Sequence, residues 1–319
     1  MSPEQDTRDE WVDRTPMIKD RLPSVWAQSV LYKTPLHAID RALESLARSA
    51  ELAVMEDGAC SRVVLTYGDC SPMRCLEDQD LANLREKYGW IIDLRYTWFA
   101  ENLGSARGHN RLAEECDADF MLILNPDVVV SPRVIQYLLE PFTRTGTGMS
   151  EAKQLPLEHP KDYDPVTGDT SWAATACAMV PYEIFKAIDG FDDDTFFMYC
   201  DDVDFSWRVR ALGLRIVFQP SAVVLHDKRL SSSGGWDPTS AERYYSAEAA
   251  VLLAHKWSRP DLVDEILGSF DAYGDVHQKR AAEVYREKFA AATLPAPIDS
   301  EHAVGVFDHG FYAKHRYEL

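Results

Sequence analysis

Asn125-Pro126-Asp127 closes the apolar run Phe120-Met121-Leu122-Ile123-Leu124. A run this short, stopped by proline, reads as a buried strand. Asp127 then falls just past the strand's carboxyl end, where open α/β sheets bind ligands. A carboxylate there can hold a divalent cation against a diphosphate; the plainer reading is an aspartate that starts a turn. Three further segments carry candidate chemistry. Glu101-Asn102-Leu103-Gly104-Ser105-Ala106-Arg107-Gly108-His109-Asn110 follows a strand and opens a helix with glycines, which turns backbone N–H groups toward an anion. Its spacing is not G-x-G-x-x-G, so it is no dinucleotide fingerprint. Asp189-Gly190-Phe191-Asp192 leads through Phe196-Phe197-Met198-Tyr199 to Asp201-Asp202-Val203-Asp204, with Arg208 one turn further. Leu225-His226-Asp227 ends another strand.

These residue types suit group transfer to a hydroxyl. A carboxylate takes the proton of an attacking hydroxyl, and Asp201 beside Asp202 raises the base's pKa by like-charge repulsion. A bound cation neutralises a departing anion. Carboxylate and water make a hard oxygen site suited to Mg²⁺, and an imidazole shifts the balance toward Mn²⁺. Each residue also has a bland reading. Asp202 and Asp204 complement a helix dipole as first-turn acids. His226 is a hydrogen-bonded residue at a strand end. Arg208 pairs with Asp204 across one helical turn. Trp172, Trp207 and the aromatic run fill the core.

The elements that must position these groups alternate. Val25 to Tyr32 is an expected strand, and Pro35 to Ser49 an amphipathic helix with Ile39, Leu43 and Leu46 at helical spacing. Strands over 62–67, 90–96 and 120–124 alternate with helices over 76–88 and 105–115, the signature of a parallel sheet flanked by helices. From Ser150 to Ser171 the chain becomes a polar excursion holding Glu151, Lys153, Gln154, His159 and Lys161, long enough to be functional. Strands follow over 172–180, 214–218 and 222–225, with helices over 182–188 and 201–212. From Thr239 the pattern is helical through Lys256, and again in one or two helices from Leu262 to Phe289. The expected domains are a loose segment over 1–20, a catalytic domain over 21–236 and a helical extension over 237–319.

A net charge of -19 excludes a protein that tracks nucleic-acid phosphate, since that binding draws on Lys and Arg. An anionic substrate must be held locally instead. No apolar stretch is long enough to span a bilayer, and the first residues carry no signal-peptide core. The six cysteines lack zinc-type or paired spacing and read as reduced thiols of a cytoplasmic protein.

The four segments, in order and at this spacing, resemble the inverting family 2 glycosyltransferases, in their rhamnosyltransferase-like and galactofuranosyltransferase-like branch. The likeness runs from about Val25 to about Lys256. Family members carry E-N-x-G-x-A-x-G-x-N, L-N-P-D in place of D-x-D, G-G-F-D followed by an acid pair, and a strand ending in His. The resemblance implies a GT-A fold, a Rossmann-like open mixed sheet flanked by helices, here with a helical C-terminal extension. It implies a nucleotide-diphosphate sugar donor, a saccharide or glycolipid acceptor, and Mn²⁺ or Mg²⁺. On it, Asp127 and His226 hold metal and Asp202 is the catalytic base. Asn102, Gly104, Arg107, Asn110 and Asn125 lie on the donor side, with Asp201, Thr175 and Asp204 on the acceptor side. The chain departs from the family in three places. Gly68 stands where an aspartate near the nucleotide base is usual, so Asp69 is expected to serve instead. Ala174-Thr175-Ala176 replaces Ser-Gly-Ala, and Asp201 replaces a glutamate. The competing readings are a sugar nucleotidyltransferase, which lacks its Gly-rich basic loop here, and a non-catalytic carbohydrate- or nucleotide-binding subunit. The acidic balance disfavours anionic lipid surfaces, so dimerisation is the expected use of the C-terminal helices ahead of peripheral membrane contact.

Overall fold

The structure, a computed structural model, describes residues 21–159, 161–227 and 237–308; the expected loose segment over 1–20 lies outside them. Four strands form the parallel half of the sheet: β1 (Ser24–Leu31), β2 (Arg62–Asp69), β3 (Ile92–Trp98) and β4 (Phe120–Leu124), in the order β3-β2-β1-β4. The crossovers are α1 (Leu36–Glu51), α2 (Asp78–Tyr88) and α3 (Gly104–Ala113). In α1, Ile39, Leu43 and Leu46 share one face and are buried. All five residues of β4 are buried, as suits a strand covered on both faces.

Beyond β4 the sheet becomes mixed. The remaining strands are β5 (Val128–Val130), β6 (Thr147–Leu155), β7 (Asp169–Thr170), β8 (Cys177–Pro181) and β9 (Arg215–His226). The order continues β4-β8-β6-β9-β5, with β7 on β9. Pairing is antiparallel except between β6 and β9. The helices α4 (Val134–Leu139), α5 (Tyr182–Ala187) and α6 (Asp201–Ala211) complete the layers. This is the open mixed sheet with flanking helices that the motifs implied.

Several sequence readings change. Ser150 to Leu155 is the second half of β6, not the start of a loop, and Glu151 and Gln154 are buried on it. The alternation was disguised because two of the inward side chains are polar. The two short strands expected over 214–225 are one strand. Pro220 lies where the β6 pairing jumps from Ala152↔Gln219 to Lys153↔Val223, so a bulge absorbs the residue that cannot donate to the ladder. Trp172 to Ala176 is a buried loop, and the strand begins only at Cys177. β5 and α4 went unrecognised. All six cysteines are free thiols. Among the described residues no helix is long and apolar enough to cross a membrane.

The C-terminal helices are α7 (Ser240–Lys256), α8 (Pro260–Tyr273) and α9 (Val276–Ala290). Thr239 and Asp275 open α7 and α9 with capping boxes, and Pro260 starts α8. Their apolar faces join Phe196, Val203 and Trp207 in one cluster with Leu252, Trp257 and Ile266. A buried ionic knot ties the helices down. Lys256 Nζ lies 2.6 Å from both Asp192 Oδ2 and Asp204 Oδ1. Trp257 Nε1 donates to Asp204 Oδ1 at 3.0 Å, and Arg208 Nε to Asp204 Oδ2 at 2.7 Å. Removing one partner strands a buried charge. Lys256→Ala is therefore expected to cost about 3–5 kcal/mol in urea unfolding; a loss below about 1 kcal/mol, the range of exposed pairs, would contradict this account.

Candidate active site

The chain leaving β4 crosses to the end of β9, where β5 pairs with it antiparallel. Val128 pairs with His226, and Asp227 N donates to Asp127 O at 3.0 Å. Asp127 Oδ1 consequently lies 3.3 Å from His226 Nε2, and Asn125 Nδ2 lies 3.4 Å from the same nitrogen. His226 is buried, while Asp127 is partly open. Among the described residues no cluster of three or more His, Cys, Asp or Glu forms a closed metal cage. One carboxylate oxygen facing one imidazole nitrogen is instead a partial donor set. It fits Mg²⁺ or Mn²⁺ whose remaining positions go to water and substrate phosphate.

The acid pair sits at the start of α6. Tyr199 and Cys200 precede it with φ of 69° and 54°, two consecutive non-glycine residues in the left-handed region. Such strain costs roughly 1–3 kcal/mol per residue and collects at functional sites. Gly104 fits beside this turn because it lacks a side chain. Its φ is +73°, and a Cβ would meet Phe197 O at 2.3 Å. Ser105 N donates to that same carbonyl at 3.0 Å, so the first turn of α3 is tied to the segment leading into α6. Asp201 is buried, and Asp202 is half-buried. Burial pushes the Asp201 carboxyl up to about 7, with repulsion from Asp202 adding and a hydrogen bond with Ser105 opposing.

A third segment links the two groups. Asn125 N donates to Ala176 O at 3.0 Å, and Ala173 N to Ser206 Oγ of α6 at 3.0 Å. The loop from Trp172 to Ala176, with Thr175 buried in it, spans from the end of β4 to α6. Behind it, Glu151 Oε2 accepts from Ala174 N at 2.6 Å, and Lys161 Nζ pairs with Glu151 and donates to Trp172 O at 3.0 Å. Burial lifts Glu151 to about 7 against the pull of Lys161. This buried support was not legible from the polar composition of the segment.

Four expected contact residues have partners within the protein. Asp69 has no exposed surface. It accepts from Ser71 N at 2.9 Å, Cys75 N at 2.6 Å and the Tyr96 hydroxyl, and so builds the loop after β2. Asn110 spends both ends of its amide on the backbone of Phe191, at 2.8 and 2.9 Å, and so clamps the Gly190 turn. Arg107 points to Asp193 and Asp194, at 2.9 and 3.4 Å, instead of an anion. Asp204 lies wholly inside the Lys256 knot, and Arg208 is its partner across one turn. Asn102 Oδ1 accepts from Gly104 N at 3.4 Å and stays exposed at the mouth of α3.

Comparison with known proteins agrees with this architecture. No protein-family model matches the chain. It is 26% identical over 221 residues to N-acetylglucosaminyl-diphospho-decaprenol L-rhamnosyltransferase of Mycobacterium tuberculosis, covering 57% of this chain and 69% of that protein. It is 24% identical over 184 residues to rhamnosyltransferase WbbL of Escherichia coli, covering 45% of this chain and 67% of that one. The chain is similar to these rhamnosyltransferases over about half its length. Among solved structures, GalNAc-T7 with UDP, GalNAc and Mn²⁺ superposes with a TM-score of 0.60 at 12% identity, over 88% of this chain. The chain spans 60% of the length of that protein. The mannosyltransferase PcManGT of Pyrobaculum calidifontis, with GDP-Man and Mn²⁺, gives 0.52 at 15% identity over 91% of this chain and 89% of its own. These neighbours show the GT-A fold for this chain.

Two outcomes follow from the geometry. Burial raises Asp69, but hydrogen bonds from Ser71, Tyr96 and Cys75 outweigh it and hold the carboxyl below its usual range. Its stabilising effect is present above the unfolded pKa and fades as pH falls. Asp69→Ala should cost about 2–4 kcal/mol near pH 7 by leaving buried donors unpaired, and less below about pH 4. A variant as stable as the parent near neutral pH would restore Asp69 as a free ligand group. The raised Asp201 has the opposite sign: its contribution is full at low pH and declines as pH rises through its folded pKa. Asp201→Asn should therefore raise the urea midpoint at pH 8 far more than at pH 5; equal differences at both would place the charge elsewhere.

Proposed function

We propose that the chain transfers a glycosyl group, rhamnosyl as in the names of its relatives, from a nucleotide-diphosphate sugar to a hydroxyl of a saccharide or glycolipid acceptor. The transfer inverts the anomeric centre and serves bacterial surface polysaccharide synthesis. The observation that carries this reading is Asp127 Oδ1 at 3.3 Å from His226 Nε2, where the residue before β5 meets the carboxyl end of β9. The acid pair at the head of α6, linked to them through the Trp172 to Ala176 loop, supports it.

Each residue then has a task. Asp127 and His226 hold Mn²⁺ or Mg²⁺, which when bound neutralises the charge of the leaving nucleoside diphosphate. Asn102, exposed at the mouth of α3, is the donor-side polar group for the same anion. Asp202 accepts the acceptor hydroxyl's proton as that oxygen attacks the anomeric carbon. The bond from that carbon to the diphosphate oxygen breaks, and its electron pair leaves with the diphosphate. Asp201, raised by burial beside it, completes the acid pair with Asp202. Thr175 narrows the acceptor side.

A panel of nucleotide sugars, dTDP-rhamnose first, scored by nucleoside diphosphate release with acceptor present, tests the reading. Release should stop in EDTA and return with Mn²⁺ or Mg²⁺. Asp127→Ala should lose metal-linked donor binding. Asp202→Asn should bind donor normally and lose about 10²–10⁴-fold in transfer. The product should carry the opposite anomeric configuration. Full activity in chelator removes the metal from the scheme, and retained configuration or an active Asp202→Asn variant removes Asp202 as base.

A further inference from the structure

His226 presents two ring nitrogens to different neighbours. Nε2 faces Asp127 and Asn125, whereas Nδ1 lies 2.8 Å from Gln154 Oε1 inside the protein. A neutral imidazole carries one proton, so one nitrogen donates and the other accepts. An amide oxygen opposite Nδ1 selects the Nδ1–H form. The amide nitrogen of Asn125 opposite Nε2 selects the same form, since a donor belongs against a bare lone pair. The two amides agree, against the Asp127 carboxylate, which at 3.3 Å favours a proton on Nε2, and they leave the Nε2 lone pair aimed at the side where Asp127 opens.

The fold fixes Gln154 for this. β6 runs parallel to β9 with Gln154 opposite Val224, two residues before His226 and therefore on the same face. Gln154 is 1% exposed, and its own N–H donates to Glu158 Oε2 at 2.7 Å. The Glu158 carboxylate also accepts from His159 N at 2.7 Å, which closes the turn after β6 under the glutamine. A buried glutamine with its amide nitrogen unpartnered is costly for a fold to keep. Leucine would fill this space without that penalty, so the oxygen is what the position retains.

We propose that Gln154 is a positioning residue that sets the tautomer and ring plane of His226, so that Nε2 is available to a divalent cation shared with Asp127. The inference rests on the metal role given above to His226. It concerns this chain's second layer, where a ligand's outer hydrogen bond typically controls about 10–100-fold in metal affinity.

Two measurements separate this proposal from the reading beneath it. The first needs no metal: ¹⁵N shifts of the His226 ring at pH 8, in metal-free protein, should report Nδ1–H in the parent and in Gln154→Glu, and shift toward Nε2–H in Gln154→Met. A parent in the Nε2–H form overturns the proposal. The second is the Mn²⁺ dissociation constant measured by electron paramagnetic resonance with dTDP present. Gln154→Met should weaken it about 10–100-fold, with Gln154→Glu retaining it. In a His226→Ala background the Gln154→Met change should have no further effect. An equal loss in that background means Gln154 acts through the fold and overturns the proposal. A parent that binds no Mn²⁺ refutes the metal reading instead, while the ring measurement still decides the tautomer.

Discussion

Val128 lies opposite His226 and Val130 opposite Val224 along a strand of three residues, and the candidate chemistry depends on that register. Side chains alternate along a strand, so a slip of one residue would turn His226 away from Asp127. Three residues of ladder are too few to fix a register alone. It is pinned at both ends: Asp227 N donates to Asp127 O at 3.0 Å, and Ser131 N to Val223 O at 2.9 Å. Val130 N also donates to Ser45 Oγ of α1 at 3.1 Å, which ties the strand to the parallel half of the sheet. Val128 and Val130 are buried, so the slipped alternative would also expose apolar surface. The short pairing is held by its surroundings, and Asp127 is carried into place with it.

The chain is rich in carboxylates, yet those near the site are kept apart by environment. Asp204 is wholly buried but matched by Lys256, Arg208 and Trp257, so it serves as structure. Asp192 is half-buried, and Lys256 and Thr195 hold it low against the rise from desolvation. Asp201 is buried without a cation and rises. Asp202, one residue on, is the more open of the pair. One turn of helix thus carries a paired acid, a neutralised acid and an accessible acid, separated by burial and counter-charge alone.

The parallel half of the sheet was legible because its strands are uniformly apolar and its helices show clean spacing, as in Phe120–Leu124 and in Ile39, Leu43 and Leu46. The four motif segments were legible because glycines, prolines and acids cluster at strand ends. What escaped was polar burial. Glu151 and Gln154 look like loop residues because only their buried partners, Lys161 and His226, make them inward-facing. Asp69 and Asn110 sit in motif positions that suggest ligand contact, but sequence does not reveal that nearby backbone donors and acceptors already occupy them. Asp204 illustrates the same limit: its match to Arg208 was local and readable, whereas Lys256 arrives from 52 positions away.

The Lys256 knot has a consequence for how such a chain can change over evolutionary time. α6 carries the acid pair on one side and shares its core with α7 and α8 on the other, through Trp207 and Trp257 with rings 5.1 Å apart. The C-terminal helices are thus not a cassette that recombination can exchange. A replacement must arrive with a lysine and an indole already fitted to Asp204, or the helix that presents the acids loses its backing. New specificity is more accessible through loops anchored at a single end, and inheritance of the C-terminal helices is tied to inheritance of the acid pair.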